Sequence, residues 1–350
     1  MSKAFCTDLA YSTTRRMTRT APVIFNSPDA KFESTLFLPT HPQRKGEGGL
    51  RRHGYFKAGG CADHGADGVK IKPLITAITV VFNGAKTLEQ TILSVIKQSY
   101  DNVEYIIIDG GSTDGALDSI QKYEHAIDYW VSEPDTGIYD AWNKGVRCAN
   151  GEWICFLGAD DYLHNTHVLE KMAVVLATAV SRYRIVYGQV VVVDEHGTEI
   201  DRLGELPWGK VKSRFMGGAY CLPTPGVMHH RSLFELFGPY DNSFKIAGDY
   251  ELLLRELKTN EPKHAPEIIV ADMQYGGISS RPENTLIALR EMRAALVKQG
   301  LAETNRIAVL AFFRAYLRIA LWRLLGEHVT RQILDFGRWL MCKKPYWTRH

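Results

Sequence analysis

From residue 73 onward the chain alternates between two hydrophobic patterns. LITAITVVF (74–82) is an unbroken β-branched apolar run, of the length of a strand buried on both faces. Asn83-Gly84 ends it. Leu88, Ile92, Val95 and Ile96 then recur at helical spacing and predict an amphipathic helix over 86–99. VEYIIID (103–109) is a second buried strand, stopped by Gly110-Gly111. Residues 113–124 read as a helix and IDYWVS (127–132) as a third strand. A further helix runs to Asn150, with Gly151 as its stop. EWICFLG (152–158) is a fourth strand, closed by Ala159-Asp160-Asp161. Strands alternating with helices predict an α/β fold with a mostly parallel central sheet covered on both faces.

After residue 180 the pattern changes. RIVYGQVVVVD (184–194), a turn at His196-Gly197 and TEIDRL predict a hairpin. SLFELFG (232–238) and AGDYELLLREL (247–257) are helical, and APEIIVAD (265–272) is a late strand. Ser280-Arg281-Pro282-Glu283 has the form of a capping box for a helix ending near Gly300. Residues 304–341 form an arginine-studded apolar helical region. Residues 1–72 have no sustained periodicity, and HPQRKGEGGLRRHGYFKAGGCADHGADG is rich in glycine and charge. Such a composition buries too little apolar surface to offset its ordering entropy. Three parts are therefore expected: a mostly disordered extension (1–72), one α/β domain (73–280) and a basic helical C-terminal region (281–350).

The charge is divided among these parts. Residues 1–72 hold 12 Lys and Arg against 6 Asp and Glu, residues 281–350 hold 13 against 5, and the middle holds 17 against 28. An acidic body argues against nucleic acid as a ligand. A basic apolar tail points to an anionic surface such as a membrane leaflet. IAVLAFFRAYLRIALWRLL (307–325) is interrupted by Arg314, Arg318 and Arg323, which suits the plane of a bilayer surface better than its interior. Packing against the catalytic domain or another subunit is the alternative. No apolar run is long enough for a transmembrane helix. The start lacks the apolar stretch of a secretory signal, and the six scattered cysteines suit free thiols in a reducing cytosol. A cytoplasmic chain, peripheral on the inner face of the membrane, is expected.

Ligands of parallel α/β sheets bind beyond the carboxyl ends of the strands. There the four strands deliver Asn83, Asp109-Gly110-Gly111-Ser112-Thr113-Asp114, Glu133-Pro134-Asp135 and Asp160-Asp161. Helix capping accounts for Ser112 or Thr113. It does not account for Asp109 before two glycines, or for paired acids after an apolar strand. Clustered carboxylates repel unless a cation lies between them, which suits Mg²⁺ or Mn²⁺ carrying phosphate oxygens. The pattern reads as a nucleoside diphosphate held through its metal, with Gly110 and Gly111 admitting the ligand close to the backbone. DGGSTDG is not a GxGxxG fingerprint, which disfavours a dinucleotide oxidoreductase. His229-His230, as strand neighbours, face opposite ways and make a poor metal site. Tyr139, Trp142 and Trp130 are read as core, and Arg255 as an exposed helix arginine. Lys144 either reaches phosphate or is solvated.

Three blocks resemble the family 2 glycosyltransferases: TVVFNGAKTLEQTILSVIKQSYDNVEYIIIDGGSTDG, SEPDTGIYDAWNKGVRCANGEWICFLGADDYL and PGVMHHRSLFELFGPYDNSFKIAGDYELLLRE. The resemblance covers about 73–280. It implies a single GT-A nucleotide-sugar-binding domain. The activity implied is inverting transfer of a sugar from a nucleotide-diphosphate donor to a glycan or lipid-linked acceptor, with a divalent metal, in bacterial cell-surface polysaccharide or glycolipid synthesis. Residue by residue, it places Asn83 in the first nucleotide loop and Asp109 at the base or ribose. Asp160 takes the place of the metal-binding last acid of an Asp-x-Asp motif, Asp161 that of a ribose contact or metal support, and Asp249 that of the catalytic base. The motif's first acid is Gly158 here, a departure for which Asp135 is a candidate compensation. Glu251 is the local rival of Asp249, and since residues i and i+2 of a helix point about 200° apart, only one faces the cleft. A decayed nucleotide-sugar-binding scaffold and a nucleotidyltransferase are the alternatives.

Overall fold

In the computed structural model, residues 11–24, 26, 28–65, 68–180, 182–277, 282–301, 306–340 and 345–348 are described. Ten strands form the central sheet: β1 (Gly46–Gly48), β2 (Ile75–Val81), β3 (Val103–Asp109), β4 (Tyr129–Ser132), β5 (Trp153–Gly158), β6 (Asp161–Leu163), β7 (Ile185–Val193), β8 (Glu199–Leu203), β9 (Val227–His230) and β10 (Lys263–Gln274). Their order is β6-β10-β7-β9-β5-β2-β3-β4-β1, with β8 paired to β7. Strands β5, β2, β3 and β4 are mutually parallel, β9 runs against β5 and β7, and β7 is parallel to β10.

The helices are α1 (Ala85–Ile96), α2 (Ala116–Lys122), α3 (Ile138–Cys148), α4 (Val168–Ala179), α5 (Trp208–Met216), α6 (Ser232–Phe237), α7 (Gly248–Leu257), α8 (Pro282–Lys298) and α9 (Arg306–Leu340). All seven positions of β2 and of β3 are buried. Alternate residues feed two cores: Ile78, Val80, Ile106 and Ile108 join α3 and α7, whereas Ile75, Ala77, Tyr105 and Ile107 join α1 and α4. This is the covered, mostly parallel sheet that the continuous apolar runs predict. The first helix begins one residue earlier and ends three earlier than its periodicity suggests. The second starts at Ala116 because Ser112, Thr113 and Asp114 are spent on loop contacts. The Ser280-Arg281 part of the expected capping box lies outside the described residues. Gly326 breaks α9 with φ 77°.

The described part of residues 1–72 is folded onto the body, where composition suggests a mostly disordered extension. Within the described part, β1 closes the sheet edge antiparallel to β4. Leu50 is fully buried, and the Arg51 guanidinium meets Glu104 of β3 at 2.6 Å with both side chains buried. The glycines serve packing: a Cβ on Gly48 would stand 2.6 Å from the Trp130 indole nitrogen, so the edge strand lies flat on that ring only as glycine.

Candidate active site at the carboxyl edge of the sheet

Register aligns the strand ends. Val81 pairs with Asp109, Asp109 with Ser132, and Val80 with Gly158. The loops that follow these strands therefore share one edge, as the α/β rule requires.

Asp109 ends β3 fully buried. Its carboxylate accepts hydrogen bonds from the Ser112 amide at 3.1 Å, the Ser112 hydroxyl and the Ser132 hydroxyl at 2.5 Å. With those donors engaged, it holds the shape of the loop that follows β3. Ser112 in turn accepts the Asn83 amide at 2.8 Å, and the Asn83 side-chain oxygen accepts the Thr113 amide at 2.9 Å. Asn83 sits at φ 53°, a left-handed conformation that asparagine tolerates better than most residues. The loops after β2 and β3 are thus tied into one rim. Asp114 completes the tie by accepting the Ala85 amide at the start of α1, and this bond holds its carboxyl below the usual range. Lys45, from the N-terminal segment, donates to the Gly111 and Ser112 carbonyls at 2.7 and 3.0 Å.

The loop after β4 comes over this rim. A Cβ on Gly110 would stand 2.4 Å from an Asp135 oxygen, so the glycine is the space the carboxylate uses. Burial raises the Asp135 pKa. Lys144 pairs with Glu133 at 3.0 Å and donates to the Pro134 carbonyl at 2.7 Å, and Glu133 also meets Arg44 at 2.7 Å. Lys144 therefore ties the loop after β4 to α3.

At the end of β5 two acids fold back over a glycine. A Cβ on Gly158 would lie 2.8 Å from Asp160 Oδ1 and 3.0 Å from Asp161 Oδ2, and the Gly158 amide donates to Asp161 at 3.0 Å. The missing first acid of the motif is thus replaced by space that both carboxylates enter. Asp161 is buried and pushed up to about 7, by burial first and then by Asp160, while burial raises Asp160 as well. Neither has a cationic neighbour among the described residues. Two oxygen donors held together at electrostatic cost fit a hard divalent ion that takes its remaining ligands from phosphate and water. Among the described residues no cluster of three or more His, Cys, Asp or Glu forms an all-protein cage.

Asp249 opens α7. Its Oδ2 accepts the Thr224 hydroxyl at 2.7 Å and lies 3.8 Å from the Cys221 thiol, and its Oδ1 accepts the Tyr250 amide at 2.7 Å. Burial raises its pKa. Met228 of β9 pairs with Cys155 of β5, and the single 3-10 turn Thr224–Gly226 leads into β9 at the end that lies beside the carboxyl half of β5. Thr224 thereby ties Asp249 to that end of β5. Gly248 lies against the Tyr139 ring at the start of α3.

The neighbouring acids and histidines have other surroundings. Glu251 is fully buried and paired with Arg255 and, at 3.0 Å, with Lys298. Arg255 is no exposed helix arginine: it also donates to the Phe237 and Pro239 carbonyls. Asp241 pairs with Lys298 at 2.7 Å and is held down at about 2. His229 and His230 pair with Ile154 and Trp153, at the opposite end of β5 from Gly158. His229 is buried between Phe156 and Phe234, and burial lowers its pKa to about 4. Tyr139, Trp142 and Trp130 are core residues, as expected. Thr224, Ser132 and Lys45 were not marked by any local motif, since each acquires its role only through the sheet order.

Residues 76–236 match the family described as Glycosyl transferase family 2. A glycosyltransferase of Mycobacterium tuberculosis, itself uncharacterized, is 30% identical over 223 residues, 61% of this chain and 80% of its own length. The chain belongs to glycosyltransferase family 2. It is a glycosyltransferase with a GT-A-like domain. A PGL/p-HBAD biosynthesis glycosyltransferase of Mycobacterium bovis is 26% identical over 222 residues, 59% of this chain and 80% of its own. The mannosyltransferase PcManGT from Pyrobaculum calidifontis, solved with GDP-Man and Mn²⁺, shares the fold at a TM-score of 0.51 and 17% identity, over 79% of this chain and 83% of its own.

Proposed function

We propose that this family 2 enzyme transfers a sugar from a nucleoside diphosphate sugar to an acceptor hydroxyl with inversion, and that Asp249 is its base. The observation that carries the reading is Asp249 itself. It is a carboxylate without a cationic partner among the described residues, positioned by the Tyr250 amide and by Thr224, which lies in the turn leading into β9 beside the carboxyl half of β5. The acceptor oxygen attacks the anomeric carbon from the face opposite the leaving group. As that bond forms, the bond to the diphosphate breaks and its electron pair departs with the phosphate oxygen. Asp249 takes the acceptor's proton, and its raised pKa makes it a better proton acceptor than an exposed aspartate. Asp160 would hold a divalent ion, Mn²⁺ or Mg²⁺, with Asp161 beside it, and the ion when bound neutralises charge on the departing diphosphate. Asn83 and Gly110 line the nucleotide rim, while Asp109 and Lys144 act by holding its loops. A relative named for PGL/p-HBAD biosynthesis supports an acceptor among cell-surface glycans or glycolipids, and a peripheral position at the inner membrane face follows from that acceptor.

The test is a screen of UDP- and GDP-sugars with Mn²⁺, scoring release of the nucleoside diphosphate, joined to calorimetry of UDP and GDP. The parent is expected to bind one of them in a Mn²⁺-dependent way, and Asp160→Ala to lose that binding with its unfolding midpoint retained. Unchanged affinity in the variant would overturn the metal assignment.

A further inference from the structure

The inner face of α9 packs on the body, with Ala308 and Ala315 buried, yet its outer face is equally apolar. Val309, Leu310, Phe313, Tyr316, Leu317 and Leu324 are exposed, Phe313 at 62% and Leu324 at 80%. At 100° per residue these six fall on one arc about 120° wide. Arg323 lies roughly 20° beyond one border of that arc and Arg314 roughly 40° beyond the other, both exposed. A soluble helix presents one apolar stripe and a polar opposite face, so this second stripe requires a partner.

Charge decides which partner. Residues 306–325 contain four arginines and no Asp or Glu. A second copy of the helix would bring Arg314 and Arg323 against their own kind, with no carboxylate on either side to pair them. A layer of anionic phosphate headgroups above acyl chains supplies both needs at once: anions for the bordering arginines and hydrocarbon for the arc between them. Among the described residues no helix is long and apolar enough to cross a membrane. We propose that the outer arc of residues 306–325 lies in the headgroup layer of an anionic bilayer, held by Phe313, Leu317 and Leu324 and bordered by Arg314 and Arg323. After Gly326 turns the chain, Phe336, Trp339 and Leu340 are exposed at 60%, 67% and 64% and extend the contact. This deepens the peripheral placement proposed above and is independent of the transfer chemistry, since vesicle binding needs neither donor nor acceptor.

The experiment is flotation of the full chain with vesicles of phosphatidylcholine alone and with added phosphatidylglycerol, at low and high salt. Binding is expected with the anionic vesicles and to weaken as salt rises. Phe313→Glu with Leu324→Glu should abolish it. Arg314→Gln with Arg323→Gln should weaken it by roughly tenfold or more, at about 1 kcal/mol per basic residue near the surface. All four positions are exposed, so both variants should keep the parent unfolding midpoint. The arginine pair, which removes no apolar contact, stands as the check if the glutamates disturb folding. No flotation of the parent with anionic vesicles at low salt would overturn the proposal. So would a dimer in sedimentation that the glutamate pair dissociates while vesicle binding persists.

Discussion

At the scale of single residues, chemistry was legible where it sits in the strand ends themselves. Asp160 and Asp161 stood out because an apolar strand ran straight into two acids, whereas Asp249 was marked by the family resemblance of the block that holds it. Their partners were not legible. Thr224 meets Asp249 only because β9 runs back along β5, and Ser132 meets Asp109 only because β4 lies beside β3. These partners sharpen the test of the base. Asp249→Asn keeps the shape and an oxygen for the Thr224 hydroxyl, so donor affinity should hold while turnover falls roughly 10²–10⁴-fold at saturating donor. Equal turnover in the variant would remove Asp249 from catalysis. Glu251→Gln gives the contrast: its carboxylate is buried against Arg255 and Lys298, so its loss should lower the unfolding midpoint. His229 carries a pH prediction. Its folded pKa of about 4 lies below the ordinary value near 6.5, so between these values the unfolded chain binds the extra proton. Stability from this group is present above pH ~6.5 and is lost as pH falls toward ~4, by up to about 3 kcal/mol. Asp161, raised to about 7, contributes with the opposite sign across much of that range. The informative quantity is therefore the difference in unfolding free energy between parent and His229→Phe, which should shift in favour of the variant as pH falls from 6.5 to 4. A difference that does not change with pH would refute the assignment.

At the scale of elements, periodicity located β2 to β5 and α1 to α3, then β7, β8, β10, α6 and α7, because buried strands leave continuous apolar runs, but it left β6, α4, α5 and β9 unmarked. The N-terminal segment was misread for a physical reason. Glycine and arginine there signify close approach and buried pairing, not solvation: Gly48 lies against Trp130, and Arg51 reaches across to Glu104, which also accepts Thr76, the Asn150 amide and the Asn150 side chain. Glu104 is held below its ordinary pKa although burial alone would raise it, with Arg51 the leading opposing cause. The segment therefore belongs to the folded body. A chain beginning at residue 73 would leave Glu104 buried without its cation and β4 without its edge partner. Arg51→Met in the full chain should cost roughly 3–5 kcal/mol in urea unfolding, the usual effect of stranding one member of a buried pair. Adding Glu104→Gln should recover a sizeable part, because the stranded charge is then gone. If Arg51→Met unfolds at the parent's urea concentration, the segment is an accessory and not part of the core.

At the scale of the whole molecule, the acidic body shapes how a nucleotide is bound. Residues 73–280 hold 17 Lys and Arg against 28 Asp and Glu, and the proposed ligand of this body is itself a polyanion. The nearby cations are committed: Lys144 and Arg44 to Glu133, and Lys45 to the Gly111 and Ser112 carbonyls. Without a divalent ion, nucleoside diphosphate and protein therefore repel at long range. Salt weakens that repulsion, since the screening length falls from about 10 Å at 0.1 M to about 3 Å at 1 M. In EDTA, affinity for UDP or GDP should accordingly be low and should rise several-fold as salt is added. With Mn²⁺ present the attraction between the ion and the Asp160–Asp161 pair dominates, and added salt should then weaken binding. Opposite salt slopes in the two conditions, measured by calorimetry on one preparation, are the signature of a site whose cation is supplied from solution. A negative slope in EDTA as well would mean that protein cations already meet the phosphates, and Lys45→Gln would then be the variant to ask, because its carbonyl partners, unlike a carboxylate, leave its charge unneutralised.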